Sequence, residues 1–112
     1  MYNYIEKVTK TTKLPLQAVR DSDGSELDEE LLKLQRSGIH LILGRPMVIQ
    51  TTYVLQWIAT HVDFKCLVVV SDEGKILMSL ASSNLHNMYH LKQVEAKCNK
   101  EYLDGFHVKF LK

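Results

Sequence analysis

The run Cys66-Leu67-Val68-Val69-Val70 constrains this chain more than any other segment. Five apolar residues in a row, three of them β-branched, are the pattern of a strand buried on both faces. Ser71-Asp72-Glu73-Gly74 follows at once and reads as a tight turn. Lys75 to Leu80 then reads as the hairpin partner. A strand buried on both faces needs a sheet around it and helices against it. The rest of the 112 residues must supply both.

Helical signals are present on either side. Asp21-Ser22-Asp23-Gly24 is a turn cluster. Ser25 stands at an N-cap position with Asp28 three residues on, and acids in the first turn suit the helix dipole. Leu27, Leu31 and Leu34 recur at helical spacing, with Leu32 beside them. Arg36 closes this helix and Gly38 is its stop signal. Ile39 to Leu43 is a short apolar strand ended by Gly44-Arg45-Pro46, with Met47 to Gln50 as an extension. Thr51 or Thr52 caps a second helix to about Val62, with Val54, Leu55, Trp57, Ile58 and Val62 as its apolar positions. Ser82 or Ser83 caps a third through about Cys98, with Leu85, Met88, Leu91 and Val94 spaced by threes. Phe106, Val108 and Phe110 alternate as a final strand. At the other end, Tyr2 to Val8 reads as a strand, and Thr9 to Leu16, with Pro15, as a loop or edge segment.

The expected fold is a single compact α+β domain over residues 1-112, with a mixed sheet of about four to five strands and about three helices. Within it, residues 1-45 hold an N-terminal strand, the acidic turn and a helix. Residues 46-98 form a βαββα unit, and 99-112 the C-terminal strand. The length suits one domain. At 46% hydrophobic and 24% charged, the composition excludes a disordered or collagen-like chain. No apolar run approaches the roughly 20 residues of a membrane span. Met1-Tyr2-Asn3-Tyr4-Ile5-Glu6-Lys7 lacks the apolar stretch of a signal peptide, so a cytoplasmic location is expected.

Charge is balanced overall, with 14 basic and 13 acidic residues. A nucleic-acid binder relying on bulk charge would be more basic. Tyr102, Phe106 and Phe110 do interleave with lysines near the C-terminus, but the alternation at 106, 108 and 110 reads better as a core-facing strand. The acids are uneven. Asp21, Asp23, Glu26, Asp28, Glu29 and Glu30 fall within ten residues. They form either a solvated face or a docking surface for a basic protein partner.

No residue pattern announces catalysis. Gly44-Arg45-Pro46 is too short to cradle phosphate, and Ser79, Ser82 and Ser83 have no G-x-S-x-G context. Asp21 to Gly24 fails the EF-hand pattern, since with Gly24 at its sixth position Val19 would stand first. Cys66 and Cys98 form no C-x-x-C pair, and Cys66 reads as a small buried hydrophobe. His86 and His90 stand at i,i+4, a spacing that reaches one zinc, but without the H-E-x-x-H motif. His61 or His107 would have to complete such a site. No metal and no cofactor is expected.

Residues 46 to 85 resemble a CBS domain. Pro46-Met47-Val48-Ile49-Gln50-Thr51-Thr52 is similar to that family's first strand and helix start. Tyr53-Val54-Leu55-Gln56-Trp57-Ile58-Ala59 follows as the helix, and Phe64 stands where the family has an apolar residue before its second strand. Cys66 through Leu77 is similar to its strand, acidic-glycine turn and strand. Asn84-Leu85 takes the place of its Asp-Leu. The resemblance implies an adenine-nucleotide cleft near Thr51, Ser82, Ser83 and Asn84, and a lone copy would pair across a homodimer. The chain departs from the family at Met78, Ser79, Ala81 and Asn84. The last two replace a Thr and a ribose-binding Asp.

Two functions follow as expectations. The first is a non-catalytic protein-interaction or regulatory module, of adaptor or inhibitor type, that binds a protein partner. Its contacts would be the six acids from Asp21 to Glu30. The alternative is a small-ligand sensor that binds an adenine nucleotide. Self-association is a further expectation, because an apolar edge strand at either terminus invites pairing.

Overall fold

The structure, a computed structural model, describes residues 2–21, 26–44, 49–71, 76–82, 93 and 106–111. The chain is an α+β domain built on a five-stranded mixed sheet. Three helices are described: α1 (Tyr2–Thr12), α2 (Glu26–Leu31) and α3 (Thr51–His61). The strands are β1 (Leu16–Arg20), β2 (Gly38–Leu43), β3 (Lys65–Ser71), β4 (Ile76–Ser82) and β5 (Phe106–Leu111), in the spatial order β1-β2-β4-β3-β5.

The expected hairpin is the middle of the sheet. β3 and β4 pair antiparallel, with Leu67 opposite Leu80 and Val69 opposite Met78. β2 lies antiparallel on the other side of β4, and β5 antiparallel on the other side of β3. Since β2 and β3 are both antiparallel to β4, they run the same way, and α3 carries the chain between them. β1 pairs parallel with β2 through Leu16 opposite Ile39 to Arg20 opposite Leu43, with α2 as their crossover.

Strand pleating divides the core in two. Val19, Ile42, Cys66, Val68, Leu77 and Ala81 share a cluster with Leu27 and Leu31 of α2, Leu34 of the turn after it, Val54, Trp57 and Ile58 of α3, and Val62 just past its end. On the other face, Ile39, Leu67, Val69, Met78 and Leu80 meet Ile5 and Val8 of α1. The leucine spacing expected for α2 and the apolar positions expected for α3 are therefore core contacts. So is Val108 of β5, half-buried against the second cluster.

Several local expectations are corrected. Tyr2 to Val8 is helix, not strand, and Thr9 to Thr12 continues it. The alternation of Tyr2 and Tyr4 suggests a strand, but Ile5, Val8 and Thr12 are buried at helical spacing. The Thr9 and Thr12 hydroxyls donate to the carbonyls of Ile5 (2.8 Å) and Val8 (2.7 Å), which satisfies them within the helix. Lys13 turns left-handed at φ 56°, and its N–H donates to the Thr9 carbonyl at 2.9 Å. Leu16 then opens a strand rather than closing a loop.

Gly38 is not a helix stop but the first residue of β2. The helix before it tightens into a 3₁₀ turn, Leu32–Gln35, and ends at an extended Arg36. Gly38 has φ +158°, and a Cβ there would lie 2.9 Å from the Pro15 carbonyl oxygen. That carbonyl accepts the Ile39 N–H at 2.8 Å, so the approach is what joins β1 to β2. Ile49 and Gln50 do not extend a strand, and Met47 and Val48 lie outside the described residues. Gln50, not Thr51 or Thr52, is the N-cap of α3, and no side chain of its own caps the helix. Ser82 ends β4. The expected helix after it, with His86, His90 and Cys98, lies outside the described residues except for Gln93, which is helical.

Candidate functional site

The acidic segment is split by the fold. Asp21 turns inward and is 3% exposed. Its backbone N–H donates to the Leu43 carbonyl at 2.8 Å, and its Oδ2 accepts the Gln50 N–H at 2.6 Å. Asp21 thus ties the end of β1 to the start of α3, where a carboxylate also meets the positive end of the helix. It offers nothing to a partner at the surface. Asp23 lies outside the described residues. Asp28 faces α3, and its Oδ1 accepts the Tyr53 hydroxyl at 3.0 Å. That acceptance holds the Tyr53 pKa above its ordinary value.

The remaining acids gather. Glu26, Glu29 and Glu30 on α2 line a cleft of about 550 Å³, with Ala18 and Arg20 of β1, Lys33 and Leu43. Glu26 and Glu29 are exposed. Glu30 reaches across the cleft, and its Oε1 accepts the Arg20 backbone N–H at 2.9 Å. Its Oε2 pairs with Lys33 Nζ at 2.7 Å. The Lys33 hydrogen bond, and after it the Arg20 N–H, hold the Glu30 carboxyl below its ordinary pKa. Acidic side chains and a strand's backbone therefore share one concavity. The sequence points to the acids and to the strand that ends at Leu43, but not to Ala18 or Arg20, because it gives β1 no strand signature.

Of the residues implied by the CBS resemblance, Thr51 and Ser82 are described, and they stand apart. Thr51 is the first residue of α3, half-buried, with its hydroxyl donating to the Ile49 carbonyl at 3.4 Å. Through Gln50 and Asp21 it belongs to the end of the sheet where Leu43 pairs with Ile76. Ser82 is buried at the far end of β4, opposite Lys65. Six residues of strand separate the two ends, roughly 20 Å. Ser83 and Asn84 lie outside the described residues.

Two further features have no sequence signal strong enough to find them. His40 is 1% exposed in β2, directly opposite Ser79 of β4. Burial pushes its pKa below the ordinary value, and backbone hydrogen bonding with Ser79 and Lys33 opposes that shift. Its Nδ1 and the Ser79 Oγ make no hydrogen bond among the described residues. On α3, the buried Trp57 stacks on the exposed His61 with ring centroids 4.5 Å apart. Tyr53, Gln56 and Thr60 complete a shallow hollow of about 250 Å³ around them. Its groups are already engaged: the His61 ring nitrogen Nδ1 lies 3.1 Å from the Trp57 carbonyl, and the Thr60 hydroxyl donates to Gln56 at 2.8 Å.

Among the described residues no three His, Cys, Asp or Glu side chains are placed to hold a metal ion. Cys66 is buried, as expected from its strand, and its thiol donates to the Phe64 carbonyl at 3.5 Å. No described helix is long and apolar enough to cross a membrane. No protein-family model matches the chain, and no curated protein or solved structure matches it at a significant level.

Proposed function

We propose that this domain is a non-catalytic protein-interaction module, of adaptor or inhibitor type, that binds a basic partner through the cleft between α2 and β1. One observation carries this reading. Glu26, Glu29 and Glu30 converge on a concavity that also contains strand backbone, and Glu26 and Glu29 have no cation against them among the described residues. Fixed like charges lining a cleft focus the field and speed the encounter with an oppositely charged partner.

The adenine-nucleotide reading has no comparable support, since Thr51 and Ser82 stand at opposite ends of the sheet. Affinity capture with the native chain and with Glu26→Lys/Glu29→Lys tests the acidic cleft. Both positions are exposed, so the variant keeps the core. A partner held by the native chain, lost by the variant, and mapped by amide shifts to residues 16–33 is the expected result. Equal capture by both chains would sink the reading.

A further inference from the structure

Among the described residues β1 has a neighbouring strand on one side only. The Ile39 N–H donates to Pro15 and the Asp21 N–H donates to Leu43, so the odd-numbered residues of this segment face β2. In a parallel pair the alternate residues then face away. Leu16, Ala18 and Arg20 therefore point their N–H and C=O groups out of the sheet. The outward N–H of Arg20 is taken by Glu30 Oε1 at 2.9 Å. Leu16 and Ala18 have no such cover among the described residues. The side chains beside this edge are open as well: Leu16 is 52% exposed and Leu43 48%. An edge of this kind is a template for one more strand.

The geometry points to strand addition: an extended, lysine- or arginine-bearing segment of a partner protein pairs with the outer edge of β1 as a sixth strand of the sheet. The inference rests on the acidic-cleft reading and names how that cleft is filled. Main-chain bonds to Leu16 and Ala18 supply the pairing, and side chains on alternate positions supply the choice of partner. Glu30 holds the place of an incoming carbonyl at Arg20 and yields it when the strand arrives, keeping Lys33. Basic side chains on the added strand then meet Glu26 and Glu29. A second copy of the chain fits less well. The described walls carry three carboxylates against Arg20 and Lys33, and two copies would bring the same acidic excess together.

The test uses the full chain and a short soluble peptide of alternating lysine and valine. The controls are a glutamate–valine peptide and a lysine–valine peptide N-methylated on alternate residues. Amide hydrogen exchange reads the edge directly. The expected result is saturable binding of the lysine–valine peptide, with exchange at Leu16 and Ala18 slowed about tenfold or more. N-methylation abolishes it, and Glu26→Gln/Glu29→Gln weakens it with an unchanged melting temperature. Binding that ignores N-methylation and leaves Leu16 and Ala18 unprotected would overturn strand addition, while the acidic cleft would stand. Protection of the same amides that grows with protein concentration alone would give the edge to a second copy and overturn the basic occupant. No binding of the lysine–valine peptide overturns strand addition, and the capture experiment then decides the cleft by itself.

Discussion

β3 and β1 are strands of one sheet with opposite physical situations. In β3, Cys66 to Val69 are each at most 1% exposed, because α3 packs on one face and α1 on the other. In β1 only Val19 is buried, and Leu16 is half in solvent. β3 is held by side chains on both faces and by neighbours on both edges. Among the described residues β1 is held by one neighbouring strand, one core residue and polar ties at its ends: Pro15 to Ile39, Asp21 to Leu43 and Gln50, and Glu30 to Arg20. The centre carries the buried packing, and the edge leaves the main-chain groups of Leu16 and Ala18 without cover among the described residues.

Truncation gives the largest contrast. Leu67→Ala removes a side chain with 1% exposure and leaves a cavity between β3 and α1. It should cost about 2–5 kcal/mol. Leu16→Ala should change stability by no more than about 0.5 kcal/mol. Urea unfolding of the two variants checks this, with a fall in midpoint at constant m for the first. Comparable losses at both sites would mean that the edge is as deeply packed as the centre.

The next effect tests the seam between the regions. Gly38→Ala places a Cβ 2.9 Å from the Pro15 oxygen at φ +158°. The strain should cost about 1–3 kcal/mol. Because the seam is where β1 joins β2, exchange at Gln17 and Val19 should rise more than at Leu67 and Val69. Uniform loosening would show that β1 and β3 open only together.

The same contrast explains what could be read in advance. β3 and β4 were legible because a strand covered on both faces must be apolar throughout. α2 and α3 were legible because Leu27, Leu31 and Leu34, and Val54, Trp57 and Ile58, repeat at the helical period. β1 was not, because Leu-Gln-Ala-Val-Arg buries one residue and is fixed by bonds to distant backbone. α1 was misread because Tyr2 and Tyr4 alternate as on one face of a strand, and only the long-range cover of Ile5 and Val8 decides for helix. The acids Glu26, Glu29 and Glu30 were legible as a charge cluster. Their cleft was not, since its second wall is the unseen strand. Asp21 reads like its acidic neighbours, and its burial depends on Gln50, 29 positions away.

A polar residue in the centre sharpens the comparison through pH. The folded pKa of His40 is lowered by burial, so the unfolded chain binds the extra proton first. Stability from this group is whole above the ordinary histidine value of about 6.5. It falls as pH drops from there toward the lowered folded value, and then levels off. His40→Gln should flatten that part of the melting-temperature profile relative to the native chain. An unchanged slope would assign the dependence to other groups.

The smallest effect lies where the chain leaves α1 for the edge. Lys13 is exposed, at φ 56°, and its N–H closes the helix on Thr9. A side chain in the left-handed region is strained against its own backbone, and glycine removes the strain. Glycine also gives the unfolded chain more freedom, which offsets part of the gain. Lys13→Gly should therefore raise stability by a net of about 0.5–1 kcal/mol, read as a higher urea midpoint at constant m. The change is backbone only, so binding at β1 should not move with it. A loss of stability would mean that the lysine side chain holds Leu14 and Pro15 in line with β1. The edge strand would then owe its position to α1 as well as to β2.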